Sequence, residues 1–578
     1  MSATATPLTL TQREKLAVLR RRQTRELVGH ELVALGLKRL GITHVLGVSG
    51  NPVDGTMAAC AAAGLRVIGM RHQHGAVLAA AAYNYSMGGL HCAAIVSAGP
   101  AVTQCATGVL VARDNHWPLL LLGGRRAQAL LGRAGFQDFD GQRFFEPLVK
   151  SAALAARSGD LQPILRAGCE TAQHGEPGPV YIDLAEEALE GMAMPLPADD
   201  ATPCASSGRT MHETVALDDA ALDDVARAFL KSQRPALLIG DGLRWAQAWS
   251  ELLGLVDEFS CPFAATPLAH GFLSERHPLC LSAARGALVE RADLVLVAGT
   301  RLDWTLRFGV EIARGAQLFF VGPAAEDAAQ AHGRGRALRG DARQVLAGLL
   351  QRLRVLQAAG QSSARDAKWL AHAQQTQRTR RAALQGGEAA ADQPLSPFEW
   401  MRELAAALPA DCLTVLDGNV VMSAAQLLLQ ATLPVSRLTP GNNGCMGTGI
   451  PFGIGMRLAH PDRPVVVICG DFAFGQTMME LETAVRHRTH IIVIVANNGG
   501  PGGSTRQAAY YPGSGSEPVC LYTPGVRHDL MVAAMGGLGL RVQRRGELAA
   551  ALHRALQHDG PSCIDMVTCE TTDLVALV

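Results

Sequence analysis

Three parts of this chain show one pattern: a short apolar run rich in β-branched residues, then glycine, then a helical stretch. Examples are THVLGV (43–48), PALLIGDG (235–242) and PVVVICGD (464–471). Strands and helices in this alternation are typical of a parallel sheet with helices on both faces. A chain of 578 residues is also too long for a single hydrophobic core. We therefore predict an α/β protein made of three doubly wound parallel-sheet domains.

The boundaries of the predicted domains follow changes in composition. PLPADDATPCASSGR (195–209) has the composition of a linker, and a long polar stretch follows residue 352. The predicted division is an N-terminal extension (1–25), a first domain (26–194), a central domain (210–352), a second linker (353–394) and a third domain (395–578).

Composition and charge argue against several classes of function. The 52 basic and 52 acidic residues balance, so no nucleic-acid partner is expected. No window offers 18 apolar residues free of charges and breaks, so no membrane span is expected, and the N-terminus lacks the apolar core of a signal peptide. The thirteen cysteines are scattered without CxxC pairs, which is typical of reduced core residues in a cytoplasmic protein. Small-molecule chemistry is the expectation.

The sharpest chemical signal lies in GDFAFGQTMMELETAVRHRTHIIVIVANNGG (470–500). Asp471 follows one predicted strand and Asn498 follows the next, with a crossover helix between them. Parallel strands joined by a helix deliver their carboxyl ends to the same edge of the sheet, so both residues should lie together. With the carbonyl of Gly500 they offer the oxygen ligands that Mg²⁺ prefers, and the glycines let backbone N–H groups approach a diphosphate. An ordinary strand–helix–strand unit with a capping Asp471 is equally compatible with the spacing.

This motif, GDFAFG followed later by NN, resembles the cofactor motif of the thiamine-diphosphate enzymes. Segments of the first domain match landmarks of that family in order: GVSGNPV, GMRHQHGAV, SAGPAV, NHWPLLLLGG, AGFQDFD and GPVYIDL. GNNGCMGTGIPFGIG (441–455) resembles the loop that holds the aminopyrimidine ring, although GTGIPFG alone could be a dinucleotide-binding glycine loop. The resemblance covers roughly residues 26–570 and implies thiamine diphosphate and Mg²⁺, with a pyrimidine-binding first domain and a diphosphate-binding third domain.

The resemblance also implies roles for individual residues. Met446 is the apolar wedge that forces the V-shaped cofactor, and the Gly444 carbonyl accepts from its 4′-amino group. Phe136 and Gln137 line the reaction centre of the partner subunit, or form a plain loop before a helix. The implied cofactor contacts are Gly50, Asn51, Gln73, Asn419, Gly444, Met446, Gly470, Asp471, Phe472, Ala473, Asn498 and Gly500, with Asp471, Asn498 and Gly500 as metal ligands. Because opposite ends of one cofactor are held by different subunits in this family, a homodimer or homotetramer is implied.

Gln73 departs from the family pattern. The resemblance places a glutamate at this position, which hydrogen-bonds the pyrimidine ring nitrogen and shares the proton that activates the thiazolium. A glutamine keeps the shape but cannot titrate, so activation should slow by ~10²–10⁴-fold, the usual contribution of a proton relay. A specialised lyase, a binding homologue and an enzyme disabled by substitution all fit. The flanking His72 and His74 could be metal ligands, but beside an apolar helix we expect ordinary hydrogen-bonded histidines.

Two later segments, 281–309 and 522–539, resemble the 2-hydroxyacyl-CoA lyase and oxalyl-CoA decarboxylase group. The implied activity is cleavage of a 2-hydroxyacyl-CoA to formyl-CoA and an aldehyde or ketone, or the reverse condensation. Oxalyl-CoA decarboxylation, CoA-independent carboligation and a non-catalytic cofactor-binding homologue are the alternatives. Arg285 and Arg437 fall where relatives hold the nucleotide end of CoA, and arginine suits phosphate, but either could be a surface or domain-contact residue.

Overall fold

The computed structural model describes residues 26–196, 217–361, 365–383, 394–500 and 522–569. These residues form three parallel sheets connected by helices, which confirms the predicted three-domain α/β fold. The proposed N-terminal extension (1–25) and nearly all of the predicted linker at 195–209 lie outside the described residues. Within the described ranges, no helix is long and apolar enough to cross a membrane.

The first domain holds a six-stranded parallel sheet and a two-stranded antiparallel pair. Its strands are Leu27–Val28 (β1), His44–Val48 (β2), Arg66–Gly69 (β3), Cys92–Val96 (β4), Leu119–Arg125 (β5), Ser151–Ala155 (β6), Pro179–Ala185 (β7) and Met192–Ala193 (β8). Its helices are Gly29–Arg39 (α1), Asp54–Ala62 (α2), Gln73–Met87 (α3), Pro100–Thr103 (α4), Ala106–Asp114 (α5), Gly141–Phe145 (α6), Leu161–Gln173 (α7) and Glu186–Glu190 (α8). The sheet order is β3-β2-β4-β5-β7-β6, and the central strand β4 is buried throughout, as expected where helices cover both faces.

The central domain is a five-stranded parallel sheet in the order second, first, third, fourth, fifth. Its strands are Pro235–Ile239 (β9), Phe263–Ala265 (β10), Leu294–Ala298 (β11), Gln317–Gly322 (β12) and Arg336–Arg339 (β13). Its helices are Asp219–Lys231 (α9), Leu243–Ala246 (α10), Trp249–Phe259 (α11), Arg285–Val289 (α12), Ala325–His332 (α13), Ala342–Ala358 (α14) and Ala367–Ala383 (α15).

Part of the predicted linker 353–394 is helical. Helix α14 continues into it, and α15 lies within it and packs on the central domain. Trp369 Nε1 donates to the carbonyl of Leu288 at 3.1 Å, and Ala373 is fully buried. The polar residues of 371–383 belong to the exposed face of α15, and 384–393 lie outside the described residues.

The third domain repeats the six-stranded parallel arrangement of the first, in the order β15-β14-β16-β17-β19-β18. The strands are Leu413–Asp417 (β14), Arg437–Leu438 (β15), Val465–Gly470 (β16), Ile492–Asn497 (β17), Leu538–Val542 (β18) and Ser562–Val567 (β19). The helices are Pro397–Ala407 (α16), Asn419–Leu428 (α17), Gly449–Ala459 (α18), Asp471–Thr477 (α19), Glu480–Arg486 (α20), His528–Ala534 (α21) and Glu547–Gln557 (α22). Helix α16 begins with a capping box between Ser396 and Glu399 and has proline at its first position.

Helix α3 lies in a buried apolar cluster that contains side chains of all three domains. It packs on α18 so closely that a Cβ at Gly455 would lie 2.3 Å from the carbonyl oxygen of Ala79, and only glycine fits there. At the other end of α3, Arg244 donates to the carbonyls of Tyr85 and Ser86, both at 3.0 Å. The helix that begins at Gln73 is therefore held by both of the other domains.

Candidate active site

The carboxyl ends of three adjacent strands of the third sheet, β14, β16 and β17, meet at one cavity of about 850 Å³. The cavity lies between the third and central domains. Its lining includes all nine third-domain residues that the resemblance implied as cofactor contacts: Asn419, Gly444, Met446, Gly470, Asp471, Phe472, Ala473, Asn498 and Gly500. Because these strands are neighbours in a parallel sheet, loops far apart in the sequence are brought together there.

Two helices begin at this cavity without a side-chain cap. Helix α17 follows Gly418 and α19 follows Gly470, and neither glycine can offer a side chain to the first-turn N–H groups. Gly418 has a φ of 97°, and a Cβ there would lie 3.3 Å from the Gly470 nitrogen, so the two loops run close together. Uncapped first-turn N–H groups and the positive end of the helix dipole attract anions. This edge fits a diphosphate.

Oxygen atoms of three residues converge beside these helix starts. Asp471 Oδ2 accepts N–H bonds from Gly499 at 2.9 Å and Gly500 at 2.8 Å. One side-chain amide atom of Asn498 lies 3.2 Å from Asp471 Oδ2 and 2.7 Å from the carbonyl oxygen of Gly500. As a nitrogen this atom donates to both oxygens; as the amide oxygen it faces both, an arrangement that a bound cation stabilises. A carboxylate, an amide and a backbone carbonyl form a donor set that fits Mg²⁺.

Two opposing effects act on the pKa of the Asp471 carboxyl, and burial is the stronger. Burial raises the pKa of Asp471, while the N–H bonds from Gly500, Phe472 and Gly499 act in the opposite direction. The Phe472 N–H bond to Asp471 Oδ1 measures 2.7 Å. These bonds hold the carboxylate in place before any ligand arrives.

Met446 stands on the loop between the short 3₁₀ helix Gly441–Asn443 and α18, and its side chain is 37% exposed at the cavity. The loop is fastened to α19, because Thr477 Oγ1 donates to the carbonyl of Gly447 at 2.8 Å. A Cβ at Gly447 would lie 2.7 Å from the side chain of Gln476, so a larger residue would displace the loop. Met446 and the residues around Asp471 are thus parts of one packed unit.

Asp417 is a buried residue beside the site that the sequence analysis did not identify. It ends β14, is almost completely buried, and its Oδ2 accepts the N–H of Gly449 at 2.7 Å. Burial raises the pKa of Asp417 to about 6, although N–H bonds from Gly449, Gly447 and Thr448 oppose that shift. The carboxyl therefore holds the Met446 loop against the sheet. The feature of the sequence that could have identified Asp417 is its position at the end of the apolar run in LTVLDG (413–418).

The first-domain residues gather at the carboxyl edge of their own sheet. Gly50 and Asn51 follow β2 and Gln73 follows the adjacent β3. Gln137 packs on Gly99 after β4, where a Cβ on the glycine would lie 2.8 Å from that of Gln137.

None of these first-domain residues lines the third-domain cavity of the same chain. The neighbouring Phe136 side chain is 77% exposed and also lies away from that cavity. The structure thus contains two separate groups of predicted site residues, one on each six-stranded sheet.

The loop before Gln73 is held by a buried carboxylate from the third domain. Glu480, 1% exposed, accepts the backbone N–H groups of Arg71 at 3.2 Å and His72 at 3.0 Å, and the hydroxyl of Thr483 at 2.8 Å. Burial raises the pKa of Glu480, and these bonds lower it. Gln73, half-buried, is the first residue of α3. Sequence reasoning missed Glu480 because its partners lie about four hundred positions away.

His72 and His74 form a local cap. The ring Nδ1 of His72 accepts the backbone N–H of His74 at 3.1 Å at the start of α3. Burial, and then the nearby His72, lower the pKa of His74 to about 4, so its ring is neutral near pH 7. Among the described residues, no cluster of three or more histidine, cysteine, aspartate or glutamate side chains is placed to hold a metal ion.

The central domain supplies the other side of the cavity. Arg285 lines it and is fixed by a hydrogen bond from Nη1 to the Thr305 carbonyl at 2.8 Å. Arg307 and Arg380 also line it, while Trp304 Nε1 donates to the carbonyl of Asn442 at 2.9 Å and so links this side to the Met446 loop. His270, which sequence reasoning did not single out, lines the cavity as well.

Arg437 does not lie where a ligand could reach it, which corrects its assignment to CoA. Its side chain is 2% exposed on β15 and is not part of the cavity lining. Its guanidinium donates to the Leu429 carbonyl at 2.5 Å and pairs with Glu275 of the central domain at 3.3 Å. It is a domain-contact residue, the alternative that the sequence left open.

Comparisons with known proteins match most of the chain and indicate one family. Three family models match in order: "Thiamine pyrophosphate enzyme, N-terminal TPP binding domain" at 27–144, "central domain" at 222–349 and "C-terminal TPP binding domain" at 417–566. A probable acetolactate synthase of Mycobacterium bovis is 31% identical over 541 residues, covering 93% of this chain and 95% of its own. The 2-hydroxyacyl-CoA lyase of Oryza sativa subsp. japonica is 29% identical, with 93% and 95% coverage. Human 2-hydroxyacyl-CoA lyase 1 is 28% identical, with 93% of both chains covered.

Proposed function

Because the chain belongs to the thiamine pyrophosphate enzyme family, we propose that it is a 2-hydroxyacyl-CoA lyase. It uses thiamine diphosphate and Mg²⁺ to cleave a 2-hydroxyacyl-CoA to formyl-CoA and an aldehyde or ketone, or to condense them. One observation carries this choice: the cavity at Asp471 and Met446 continues to arginine side chains of the central domain. A substrate with a reactive acyl end and a phosphorylated end would reach from Asp471 and Met446 to these arginines.

The third domain would hold the charged end of the cofactor. Asp471, Asn498 and the Gly500 carbonyl are the metal ligands, and the first-turn N–H groups of α17 and α19 receive the diphosphate. When bound, thiamine diphosphate supplies a nucleophilic carbanion and an electron sink. Met446 holds the reactive conformation, and Gly444 accepts from the aminopyrimidine.

The first-domain edge of a second copy would complete the site. Within one chain Gln73, Gly50 and Asn51 do not reach the cavity, whereas a homodimer can place them over the partner's Met446 loop. Exposed Phe136 and the adjacent Gln137 would then border the reacting carbon. A homotetramer, as a pair of such dimers, is compatible with the same arrangement.

The central domain would bind the CoA end. Guanidinium groups are suited to phosphate by charge and by geometry, and Arg285, Arg307 and Arg380 lie on one side of the cavity. About 850 Å³ is near the upper end of the ~300–1,000 Å³ range of small-molecule pockets. The cavity therefore has room for a substrate besides the cofactor.

CoA-independent carboligation is the second candidate, and it is favoured by the 31% identity to a probable acetolactate synthase. A carboligase of that kind would bring no phosphate to the three arginines, of which Arg285 and Arg307 pair with Glu311 in the structure. Decarboxylation of oxalyl-CoA would use the same CoA site but release carbon dioxide.

The test compares the protein with its Gln73→Glu variant, each supplied with thiamine diphosphate, Mg²⁺, formyl-CoA and a small aldehyde. Mass spectrometry follows 2-hydroxyacyl-CoA. A glutamate can relay the proton that an amide cannot, so we expect the variant to be faster by ~10²–10⁴-fold. Gln351→Glu, an exposed substitution on α14 outside the cavity, is the matched control and should change nothing.

Each other outcome selects a different function. Equal rates of the two proteins would contradict the role given to Gln73 and leave the lyase activity standing. Carbon dioxide from oxalyl-CoA, with no condensation product, would identify a decarboxylase. Ligation of 2-oxoacids without CoA would identify a carboligase. Cofactor binding without turnover in both proteins would identify a binding homologue.

A further inference from the structure

Among the described residues, His270 is the one histidine of the central domain that lines the cavity. His270 follows β10 by a short turn, and its side chain is 6% exposed. The next residue, Gly271, has a φ of 89°, and a Cβ there would lie 2.5 Å from the Leu433 carbonyl oxygen. The backbone that carries His270 is thus pressed against the third domain, and the ring has little freedom to move.

Glu275 fixes the orientation of this ring. His270 Nδ1 lies 2.6 Å from Glu275 Oε1. An ionised carboxylate only accepts, so the proton of this bond sits on Nδ1. Burial would raise the pKa of Glu275, but the charges of His270 and Arg437 and the hydrogen bonds lower it to about 2. The Glu275 carboxyl is therefore ionised at any pH at which the protein works.

The other carboxylate oxygen makes the contacts between domains. Glu275 Oε2 accepts the Ala431 N–H at 2.5 Å and pairs with Arg437 at 3.3 Å. These bonds join the central and third domains without any help from the imidazole. His270 instead occupies the side of Glu275 that borders the cavity, and its Nε2 has no hydrogen-bond partner among the described residues. A carboxylate-oriented histidine with a free Nε2 is the arrangement of a general acid or base.

We propose that His270 is the catalytic group that exchanges a proton with the oxygen of the substrate's carbonyl or hydroxyl carbon. This inference rests on the proposed lyase function. In cleavage, neutral Nε2 takes the hydroxyl proton as the bond between the hydroxyl carbon and the thioester carbon breaks and the carbonyl forms. The electron pair stays with the thioester carbon, which gains a proton to become formyl-CoA, so the proton count balances. In condensation, protonated Nε2 returns its proton to the new alkoxide.

The key variant is His270→Asn. The asparagine amide can replace Nδ1 and keep a donor to Glu275, but it has nothing in the place of Nε2. We expect turnover to fall by ~10²–10⁴-fold, the usual contribution of general acid–base catalysis. Thiamine diphosphate affinity, followed by fluorescence quenching, and the thermal midpoint should stay close to those of the parent. In calorimetry with the cofactor-free protein, 2-hydroxyacyl-CoA should bind about tenfold more weakly, as one hydrogen bond is lost.

His277→Asn is the matched control. His277 Nε2 also pairs with a carboxylate, Asp257, at 2.9 Å, but it does not line the cavity. We expect unchanged turnover. The larger deletion His270→Ala should lose activity and regain part of it with added imidazole, which a purely structural histidine would not show.

The parent is whichever of the protein with Gln73 and its Gln73→Glu variant turns over faster. If the parent is active and His270→Asn is equally active, the role of His270 is refuted while the lyase stands. Loss of activity that follows loss of cofactor binding or of the thermal midpoint, without imidazole rescue, also refutes it. If neither parent forms 2-hydroxyacyl-CoA, the lyase assignment fails and this role fails with it.

Discussion

The first and third domains build the same six-stranded parallel sheet, yet their carboxyl edges are made for different chemistry. Strand β3 occupies the place of β15, β2 that of β14, and so on across both sheets. The third edge is formed by glycines, two uncapped helix starts and a buried carboxylate. The first edge is formed by side chains of separate loops. The fold supplies an edge where loops converge, and the residues placed there decide what it binds.

The two edges also differ in whether their site residues are positioned by their own domain or by another one. Asp471 is positioned by bonds to Phe472, Gly499 and Gly500, all within its own domain. Gln73 is positioned through Glu480, which belongs to the other sheet. A substitution at the third edge should therefore act on binding directly, and one beneath the first edge should act through stability.

The largest effect is expected for Asp471→Ala. The variant removes the only carboxylate of the proposed metal site, and hydrogen bonds to charged groups contribute ~1.5–3 kcal/mol each. We expect thiamine diphosphate and Mg²⁺ to bind at least ~10²-fold more weakly, at ~1.4 kcal/mol per tenfold. Isothermal titration calorimetry measures this.

Asp293→Ala provides the comparison for that variant. Asp293 also accepts two backbone N–H bonds, from Gln233 at 2.9 Å and Arg234 at 3.1 Å, but in the central domain and away from the cavity. It should lower stability without weakening cofactor binding. Equal affinity of Asp471→Ala and the parent would mean that the third edge does not hold the metal.

The sequence predicted the third edge better than the first, and the reason is physical. The spacing in the sequence was enough to predict that Asp471 and Asn498 lie together, because the residues that follow two adjacent parallel strands lie at the same edge of the sheet. Spacing does not predict whether a side chain is exposed. Arg437 was assigned to ligand binding, but it is buried on a two-residue strand. Glu480 accepts backbone N–H groups of another domain, and His270 lies at a cavity built largely by the third domain, so no local pattern marked them.

The second prediction concerns how each sheet is attached to the central domain. The third sheet is attached through the Glu275 carboxylate and Arg437, whereas α3 of the first domain is attached through Arg244 and two carbonyl oxygens. The pKa of Glu275 falls from an ordinary 4.5 to about 2. A carboxyl with a lowered pKa stabilises the folded state above 4.5 and loses that contribution as the pH falls towards 2.

The stability advantage of the parent over Glu275→Gln should therefore be full above pH 5 and shrink as the pH falls below about 4.5. The pH-dependent part is on the order of 3 kcal/mol. Urea midpoints at pH 6.5, 4.5 and 3.5 measure it. Glu258→Gln removes an exposed partner of Arg354 and should have little effect at any pH. A Glu275→Gln deficit that is the same at all three pH values would contradict the proposed charge state.

The smallest effect is expected beneath the first edge, at Glu480→Gln. The amide oxygen can still accept from one of the two backbone N–H groups, that of Arg71 or that of His72. The amide NH₂ group faces the other, which therefore loses its acceptor. We expect a loss of ~1–3 kcal/mol in the free energy of unfolding, measured by the urea midpoint. Glu482→Gln on the same helix removes partly exposed side-chain pairs, with Arg486 at 3.1 Å and with Arg71 at 3.8 Å, and should stay within about 0.5 kcal/mol. If Glu480→Gln lowers the free energy of unfolding no more than Glu482→Gln does, the first edge is held by its own domain. The two sheets would then differ only in the residues at their edges.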